Sequence, residues 1–194
     1  MEDHSLLFES IKKHVAISDE QLKAFVSLAT ERKYKKGQFL LTEGSTIRKT
    51  HFIKKGALIA YYVDLQGMEH VVQFGIEGWW ISDIQSYVKG DVAKLNVQAL
   101  EDSSIYEFSN EVMEKAYDEI PPITRYFLKI TQNAFATFQA RVLADLSESA
   151  EKRYKLFREK YPKIELRFPQ KMIASYIGVT PESLSRLKKG LINK

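Results

Sequence analysis

The C-terminal segment of the chain, residues 169–189, reads PQKMIASYIGVTPESLSRLKK. Apolar Ile173 and Ile177 are four positions apart, and this spacing predicts the buried side of a short first helix. Gly178 can adopt the positive φ that a sharp turn requires, while Thr180 and Pro181 suit the cap and first position of a second helix. This order of helix, glycine turn and capped helix predicts a helix-turn-helix.

The second helix of this segment is expected over residues 180–189, with Leu184 and Leu187 pointing inward. Its exposed early side chains would then be able to reach base edges in a DNA major groove. Arg186 can form a bidentate bond with guanine, and Glu182 can accept a hydrogen bond from cytosine, whereas lysines suit phosphates. An ordinary helical hairpin with a basic surface is the alternative. The predicted DNA-contacting residues are Gln170, Lys171, Thr180, Glu182, Ser183, Ser185, Arg186, Lys188 and Lys189.

Charge is unevenly divided along the chain. Residues 1–140 hold 16 Lys and Arg against 19 Asp and Glu, whereas residues 141–194 hold 13 against 6. A basic C-terminal part favours contact with a polyanion, although a solvated lysine-rich face would give the same counts. The whole chain is 44% hydrophobic and 28% charged, which is typical of soluble globular proteins.

The composition also excludes several kinds of chemistry. The 194-residue sequence contains no cysteine, which excludes disulfides, thiolate zinc sites, cysteine-ligated iron–sulfur clusters and cysteine nucleophiles. No stretch approaches the roughly 18 uninterrupted apolar residues of a membrane span, and the first residues are not typical of a signal peptide. We therefore expect a cytoplasmic protein with no membrane partner.

The region from Glu31 to Phe108 is predicted to consist of short strands. Glycine-containing pairs such as Lys36-Gly37 and Gln66-Gly67 punctuate it at intervals of about 7 to 12 residues. β-Rich runs cover residues 38–41, 51–53, 57–63, 70–74 and 95–100. Many short strands separated by regular turns favour an antiparallel β-roll or jelly roll, here preceded by short helices after Ser5 and Ser18.

Helical periodicity returns after Ser109, with a long helix expected from about Ile123 to Leu146. A helix of about 24 residues runs roughly 36 Å, which is too long for a small roll to cover. We expect one face to pair with the same helix of a second copy, the alternative being a helix packed only on its own roll. The predicted domains are residues 1–146, a β-roll with a dimer helix at about 123–146, and residues 147–194, with a hinge at Ser147-Glu148-Ser149.

A β-roll, a long helix and a C-terminal helix-turn-helix, in that order, resemble the Crp/Fnr family of bacterial transcription regulators over nearly the whole chain. The segments that carry the resemblance are GQFLLTEG at 37–44, FIKKG at 52–56 and IASYIGVTPESLSR at 173–186. The recognition helix of that family has Glu, Ser or Thr, and Arg where this sequence has Glu182, Ser183 and Arg186.

The resemblance implies an α+β homodimer with a winged helix-turn-helix domain. It would regulate transcription by reading a near-palindromic site on double-stranded DNA through helix 180–189, with RNA polymerase as a further candidate partner. Many relatives close the motif with a strand pair, and this sequence ends at Lys194. We therefore expect the wing to be reduced to strands near Glu165-Leu166-Arg167-Phe168.

The phosphate cassette is where the sequence departs from the family's nucleotide-binding members. Those members have Gly-Glu-Leu, followed about ten residues later by Arg-Ser, to hold a cyclic phosphate and ribose. Here the matching stretches are WISDIQSY at 80–87 and DVAKLNV at 91–97. Asp83 stands in place of the Glu and Ala93 in place of the Arg, beside Lys94, which lacks the planar fork of an arginine.

We therefore expect no cyclic AMP in the usual mode, and no cofactor is predicted. A small effector of another kind would use a changed pocket, although we interpret the Trp79-Trp80 pair at its entrance as core residues rather than as pocket lining. The candidate effector residues are Trp80, Ser82, Asp83, Ile84 and Lys94.

Two other functions remain open at this stage. A jelly roll also suits a cupin-type metalloenzyme, but His51 and His70 are isolated and no His-x-His occurs. We interpret these histidines, with His4 and His14, as surface or hydrogen-bonded residues, and predict no catalytic or metal-binding residue. A ligand-independent interaction module, a DNA-binding dimer whose pocket has decayed, is the other alternative.

Overall fold

The chain begins with two helices and a strand-rich part, and ends in a run of helices. The computed structural model describes residues 4–46 and 48–192. The helices are α1 (Ser5–Lys12), α2 (Asp19–Ser27), α3 (Ile84–Lys89), α4 (Asn110–Glu119), α5 (Pro121–Ser147), α6 (Ala150–Lys160), α7 (Pro162–Arg167), α8 (Gln170–Tyr176) and α9 (Pro181–Ile192). The strands are β1 (Thr30–Tyr34), β2 (Phe39–Leu41), β3 (Lys49–Lys55), β4 (Leu58–Val63), β5 (Glu69–Gly75), β6 (Trp80–Ile81), β7 (Asn96–Ala99) and β8 (Ser103–Ser109).

Two four-stranded sheets make the β-roll, with strand orders β1-β8-β3-β6 and β2-β7-β4-β5. The pairs β1–β8, β3–β8, β3–β6 and β2–β7 are all antiparallel. Ile53, Ile81 and Ile105 of the first sheet share one core cluster with Leu58 and Val97 of the second. The interior of the roll is therefore apolar, and the predicted antiparallel α+β fold is confirmed.

Alternation along β8 places its side chains in two different cores. Ile105 belongs to the interior of the roll, whereas Tyr106 and Phe108 pack in a second cluster with Phe25 of α2 and Ile123 of α5. This second cluster also contains apolar side chains of α1 and α4. The helices on either side of the strand region in the sequence thus cover the same face of the first sheet.

The neighbouring strands β4 and β5 are joined by a hairpin turn. The Asp64 carboxylate accepts hydrogen bonds from the backbone amides of Gln66 and Met68, each at 2.9 Å. Gly67 adopts a φ of +79°, which favours glycine at this position in the turn. Asp64 also lies 2.6 Å from His70 Nε2, which ties the turn to β5.

The long helix α5 runs beyond both of its predicted ends, from Pro121 to Ser147. Its N-terminal part is packed, with Ile123 and Tyr126 buried in the second cluster. Its C-terminal part is uncovered, since Phe135 is 66%, Phe138 52% and Leu146 80% exposed. Within the described ranges, no helix is both long and apolar enough to cross a membrane.

The predicted wing strands at 165–168 are wrong, because this stretch belongs to helix α7 and its C-terminal cap. Ile164 and Phe168 are both buried, and their spacing of four residues is that of one helix face. Pro162 lies in the first turn of α7, where its missing amide proton costs nothing. Between Asn110 and Ile192 the described residues form helices and no strand.

Contacts divide the chain into two compact units. One comprises Met1–Ala60 with Phe74–Asn133, and the other comprises Tyr61–Gln73 with Ala134–Lys194. The second unit therefore contains the tip of the β4–β5 hairpin, the C-terminal half of α5 and helices α6 to α9. The domain boundary at 146/147 and the hinge at Ser147-Glu148-Ser149 stay predictions.

Candidate nucleic-acid interface

Helices α8 and α9 form a helix-turn-helix around a small apolar centre. Ile173, Ala174, Ile177 and Leu184 are all buried. Gly178 makes the turn with a φ of +69°, in the left-handed region that favours glycine. These positions agree with the sequence prediction for both helices.

The first turn of α9 is capped as expected. The Thr180 hydroxyl accepts a hydrogen bond from the Ser183 amide at 3.2 Å, and the Thr180 carbonyl accepts from the Leu184 amide at 3.0 Å. The Glu182 carboxylate accepts from its own amide and from the Thr180 hydroxyl, which together lower its pKa. The positive charge of Arg186 lowers this pKa further.

Arg153 of α6 holds the turn in place through hydrogen bonds, a role that no local sequence pattern indicates. Its guanidinium donates to the carbonyl oxygens of Ile177 at 3.0 Å and Gly178 at 3.4 Å, at the end of α8. It also donates to the Glu148 carbonyl at 2.8 Å and lies 3.6 Å from the Asp145 carboxylate. Arg153 thereby satisfies carbonyls that the end of a helix leaves without intrahelical partners.

One face of α9 is open to solvent. Glu182, Ser185, Arg186 and Lys189 are exposed and follow the spacing of a single helix face. Arg186 donates a hydrogen bond to the Ser183 hydroxyl at 3.3 Å, which links the base-reading candidates to each other. Leu184 packs on the opposite side of the helix. The arrangement holds a cation and small hydroxyl groups on a rigid, accessible helix surface.

The remaining predicted contact residues already have partners within the chain. Lys188 donates to the Gln170 side-chain carbonyl at 3.0 Å and lies 3.3 Å from the Glu165 carboxylate. Lys171 lies 3.6 Å from the Glu69 carboxylate, and both side chains are largely exposed. Such an exposed pair is weak, so Lys171 can exchange this partner for a phosphate. The phosphate contacts of Gln170, Lys171 and Lys188 stay predictions.

Glu165 of α7 links three helices. Its carboxylate accepts from the Tyr154 hydroxyl at 2.5 Å and lies 3.3 Å from both Arg158 and Lys188. Burial opposes ionisation, but the bonds from Tyr154 and Lys188 and the charge of Arg158 lower the pKa of Glu165 overall. The negative charge holds α9 against α6 and α7.

The β4–β5 hairpin tip contacts α8 through Ser175. The Ser175 hydroxyl accepts from the Val71 amide and donates to the Glu69 carbonyl, both at 2.9 Å. Arg141 of α5 donates to the Val72 carbonyl at 2.9 Å and lies 4.7 Å from the centre of the Tyr176 ring. The first helix of the motif is therefore attached to the edge strand β5.

The cassette region is closed around Asp83, which is 2% exposed. Its carboxylate accepts from the Ser86 amide at 3.1 Å and hydroxyl at 3.0 Å, capping α3. It also accepts from the amides of Lys94 at 2.8 Å and Leu95 at 3.1 Å. Burial raises the pKa of Asp83, but these bonds together lower it below the ordinary value. An internal anion thus occupies a cluster of amide donors.

The other candidate effector residues lie in different surroundings. Trp80 packs with the second cluster and donates from Nε1 to the Tyr126 hydroxyl at 2.9 Å, as the core interpretation of this residue predicts. The Ser82 hydroxyl points to the Lys49 carbonyl at 3.4 Å. Ile84 and the side chain of Lys94 are exposed. Among these five residues, the Asp83 carboxylate accepts a hydrogen bond from the Lys94 amide.

The histidines do not favour a metalloenzyme. The described residues hold no group of three His, Asp or Glu side chains that could bind a metal ion. His4, His14 and His70 are hydrogen-bonded, as expected. His51 is the exception, since it is 3% exposed and its Nδ1 has no hydrogen-bond partner among those residues. The His51 ring does bond to the Ile81 backbone, so the prediction of a hydrogen-bonded residue is confirmed for the ring but not for Nδ1.

Comparison with known proteins agrees with this geometry. Residues 31–119 match the family model of the cyclic nucleotide-binding domain. The fumarate and nitrate reduction regulatory protein of Vibrio cholerae is 26% identical over 168 residues, spanning 78% of this chain but 64% of that protein. The transcriptional activator protein anr of Pseudomonas aeruginosa is 21% identical over 167 residues, spanning 80% of this chain and 68% of its own.

A solved structure shares the fold over most of the chain. The structure of FixK2 from Bradyrhizobium japonicum superposes with a TM-score of 0.71 at 20% identity and covers 85% of each chain. Together, the comparisons show that residues 31–119 form a cyclic nucleotide-binding domain, that the chain shares the fold of FixK2, and that it is similar to regulatory proteins of Vibrio cholerae and Pseudomonas aeruginosa.

Proposed function

We propose that this protein binds double-stranded DNA and regulates transcription through α9. The observation that carries the proposal is the exposed face of Glu182, Ser185, Arg186 and Lys189 on a helix whose other side is packed. A helix of this kind fits the major groove, where a guanidinium can read guanine and a small hydroxyl permits close approach. Thr180 caps α9, and Arg153 holds the turn before it, so the exposed face is preorganised for binding.

The proposed phosphate contacts surround this face. Lys189 is exposed on the same side of α9 as Arg186, and Lys171 and Gln170 are exposed near the start of α8. Lysine and amide groups position a protein on the sugar–phosphate backbone without reading sequence. Lys188 is a further proposed phosphate contact, and its bonds to Gln170 and Glu165 also orient α9.

The working form in this proposal is a homodimer paired through α5. The exposed apolar residues of α5 recur at intervals of seven, three, four and four residues, which places them on one helix face, as in a coiled-coil seam: Leu128, Phe135, Phe138, Val142 and Leu146. Two parallel copies of α5 would present two α9 helices to successive major grooves, about 34 Å apart, on a near-palindromic site.

A direct test of the seam compares two variants of one helix. Phe138→Glu places a charge on the seam, whereas Ala136→Glu places it on an exposed position away from the seam. Sedimentation equilibrium is expected to give dimers for the wild-type chain and Ala136→Glu, and monomers for Phe138→Glu at the same concentration. Equal dissociation of both variants, or a monomeric wild type, would contradict pairing through this face.

Regulation in this proposal does not use cyclic AMP. The Asp83 carboxylate fills the amide cluster that lies at the matching place in the cassette, so a phosphate there would meet a buried negative charge. Any small effector of the roll acts by binding one arrangement of the DNA-binding helices more tightly than another. Cytoplasmic DNA is the target, and RNA polymerase is the proposed downstream partner.

In-vitro selection tests the proposal for α9. The wild-type chain and Arg186→Ala are each incubated with a random-duplex pool, and bound DNA is sequenced after several rounds. The wild type is expected to select a near-palindromic motif, and Arg186→Ala a motif degenerate at one position in each half-site. Absence of any enriched motif for the wild type would refute sequence-specific binding, and an identical motif for both would remove Arg186 from the base-reading group.

A further inference from the structure

A cavity of about 410 Å³ lies in the second compact unit, between the C-terminal half of α5, helix α6 and the end of α8. This volume falls within the range of small-molecule sites, about 300–1,000 Å³. Its apolar wall includes Ala140, Ala144, Leu156, Phe157 and Ile177. None of the predicted DNA-contacting or effector residues lines it.

The cavity lies on the far side of α5 from the proposed dimer seam. Thr137, Ala140, Arg141 and Ala144 line the cavity, and their spacing places them on one helix face. The seam residues Phe135, Phe138, Val142 and Leu146 lie on nearly the opposite face, given 3.6 residues per turn. A partner α5 paired along the seam therefore leaves the cavity accessible.

Aromatic rings form one end of the cavity. Phe157, Tyr161 and Tyr176 pack on one another with ring centres 5.6 to 6.4 Å apart and mutually inclined planes. All three line the cavity. Inclined rings of this kind offer both faces and edges to a further flat ring, and such contacts add to the burial of apolar area.

Two cations at this end have no carboxylate partner in the described part of the chain. Arg141 donates to the Val72 carbonyl and stacks on Tyr176, and its charge also acts on Tyr161. Lys160 donates to the Thr137 hydroxyl at 3.1 Å and lies 5.5 Å from the centre of the Tyr161 ring. Lys160 therefore lies beside the Tyr161 ring, and the charge of Arg141 acts on the same tyrosine.

The acidic groups of the cavity do not cancel these charges. Asp145 lies 3.6 Å from Arg153, whose guanidinium also holds the turn of the helix-turn-helix, and Glu159 is exposed. An anion near Tyr161 would therefore meet two cations whose only partners are neutral groups. Charge-assisted bonds from such cations to a carboxylate are stronger than their present bonds to neutral oxygens.

We propose that this cavity binds a small aromatic carboxylate, with its ring against Phe157, Tyr161 and Tyr176 and its carboxylate between Arg141 and Lys160. The apolar wall contacts the ring, and the two cations select an acid over an uncharged compound of the same shape. None of the proposed DNA-contacting residues lines the site, so its occupancy is measured without DNA.

Isothermal titration of the full chain with sodium 2-naphthoate tests this site, with 2-naphthalenemethanol as the uncharged compound of similar shape. Naphthoate is expected to bind once per chain and about tenfold more tightly than the alcohol, as expected for one added charge-assisted contact. No saturable naphthoate binding would overturn the proposal, and equal affinity for the alcohol would overturn the assignment of an acid.

Matched variants locate the binding. Ala140→Leu fills the cavity and is expected to weaken naphthoate at least tenfold, while Ala136→Leu, on the same helix outside the cavity, keeps wild-type affinity.

Lys160→Gln is expected to lower naphthoate affinity toward that of the alcohol, while Lys152→Gln on the same helix leaves it unchanged. Lys160 is exposed, so its variant tests the site even if Ala140→Leu fails to fold. Wild-type affinity in Lys160→Gln, or equal losses within either pair, would overturn the site.

Discussion

The cassette of the roll and the exposed face of α9 both carry groups that suit a phosphate, yet they differ in what those groups already bind. In the cassette, the amides of Ser86, Lys94 and Leu95 are bonded to the buried Asp83 carboxylate. On α9, Arg186 and Lys189 are exposed to solvent. A cluster of donors is available to a ligand only where the chain has not supplied the acceptor itself. The two regions therefore have opposite predicted responses to substitution.

The largest expected effect comes from removing the internal anion of the cassette. Asp83→Ala leaves the buried Ser86 amide and the partly buried amides of Lys94 and Leu95 without their acceptor, so we expect a loss of about 2–4 kcal/mol in the free energy of unfolding. Urea denaturation measures it, with Asp91→Ala as the control because Asp91 is exposed in the same segment. Equal stability of the two variants would mean that Asp83 does not hold the cassette together.

Arg186→Ala is expected to act on binding rather than stability. Loss of a bidentate guanine contact costs about 1–3 kcal/mol per half-site, and discrimination is lost at that position only. Fluorescence anisotropy with the selected duplex and with duplexes changed at single positions measures both effects. Unchanged discrimination at every position would contradict the assignment, and a large loss of folding stability would assign Arg186 a structural role instead.

The pH dependence of stability gives a smaller effect at Asp83. The bonds from Ser86, Lys94 and Leu95 hold the folded-state pKa of Asp83 below its ordinary value of 3.8. Its ionised form therefore stabilises the fold above about pH 4, and this contribution is lost as the pH falls through the lowered pKa. Asp83→Asn lacks this titration, so its deficit relative to wild type should shrink on acidification from pH 7 to 3. A deficit constant with pH would contradict the role of the charge.

Lys189→Ala should give the smallest effect and should not depend on sequence. Removing one phosphate contact weakens binding to all duplexes alike and reduces the slope of log K against log salt by about one per subunit. Titrations at several salt concentrations, on the selected duplex and on an unrelated one, measure the slope. A loss confined to the selected duplex would instead make Lys189 a base-reading residue.

The helix-turn-helix could be predicted from sequence because each of its signals is local. The Gly178 turn, the Thr180 cap and the buried Ile173 lie within a few residues of the positions that they determine. The roll was predictable for the same reason, from turns at short intervals. The exposed half of α5 followed from its length, since a small roll cannot cover so long a helix.

Two features could not be predicted from the sequence. One is the set of contacts between residues that are distant in the chain, and the other is the helical rather than strand periodicity of residues 165–168. Residues 165–168 suggest a strand, but the burial of Ile164 and Phe168 requires a helix. Asp83 was placed correctly in the cassette, yet its bonds to amides eleven and twelve residues later depend on how that loop closes. The partner of Lys188 belongs to another helix, so no local pattern indicates that its charge is already paired.

We propose that this protein reads DNA through α9. We also propose that its cassette does not bind cyclic AMP, because the Asp83 carboxylate fills it. Fluorescence anisotropy of the wild-type chain with its selected duplex, with and without saturating cyclic AMP, tests both parts in one titration. We expect the same tight, salt-dependent binding curve in both samples. Binding that appears or strengthens only when cyclic AMP is added would contradict it.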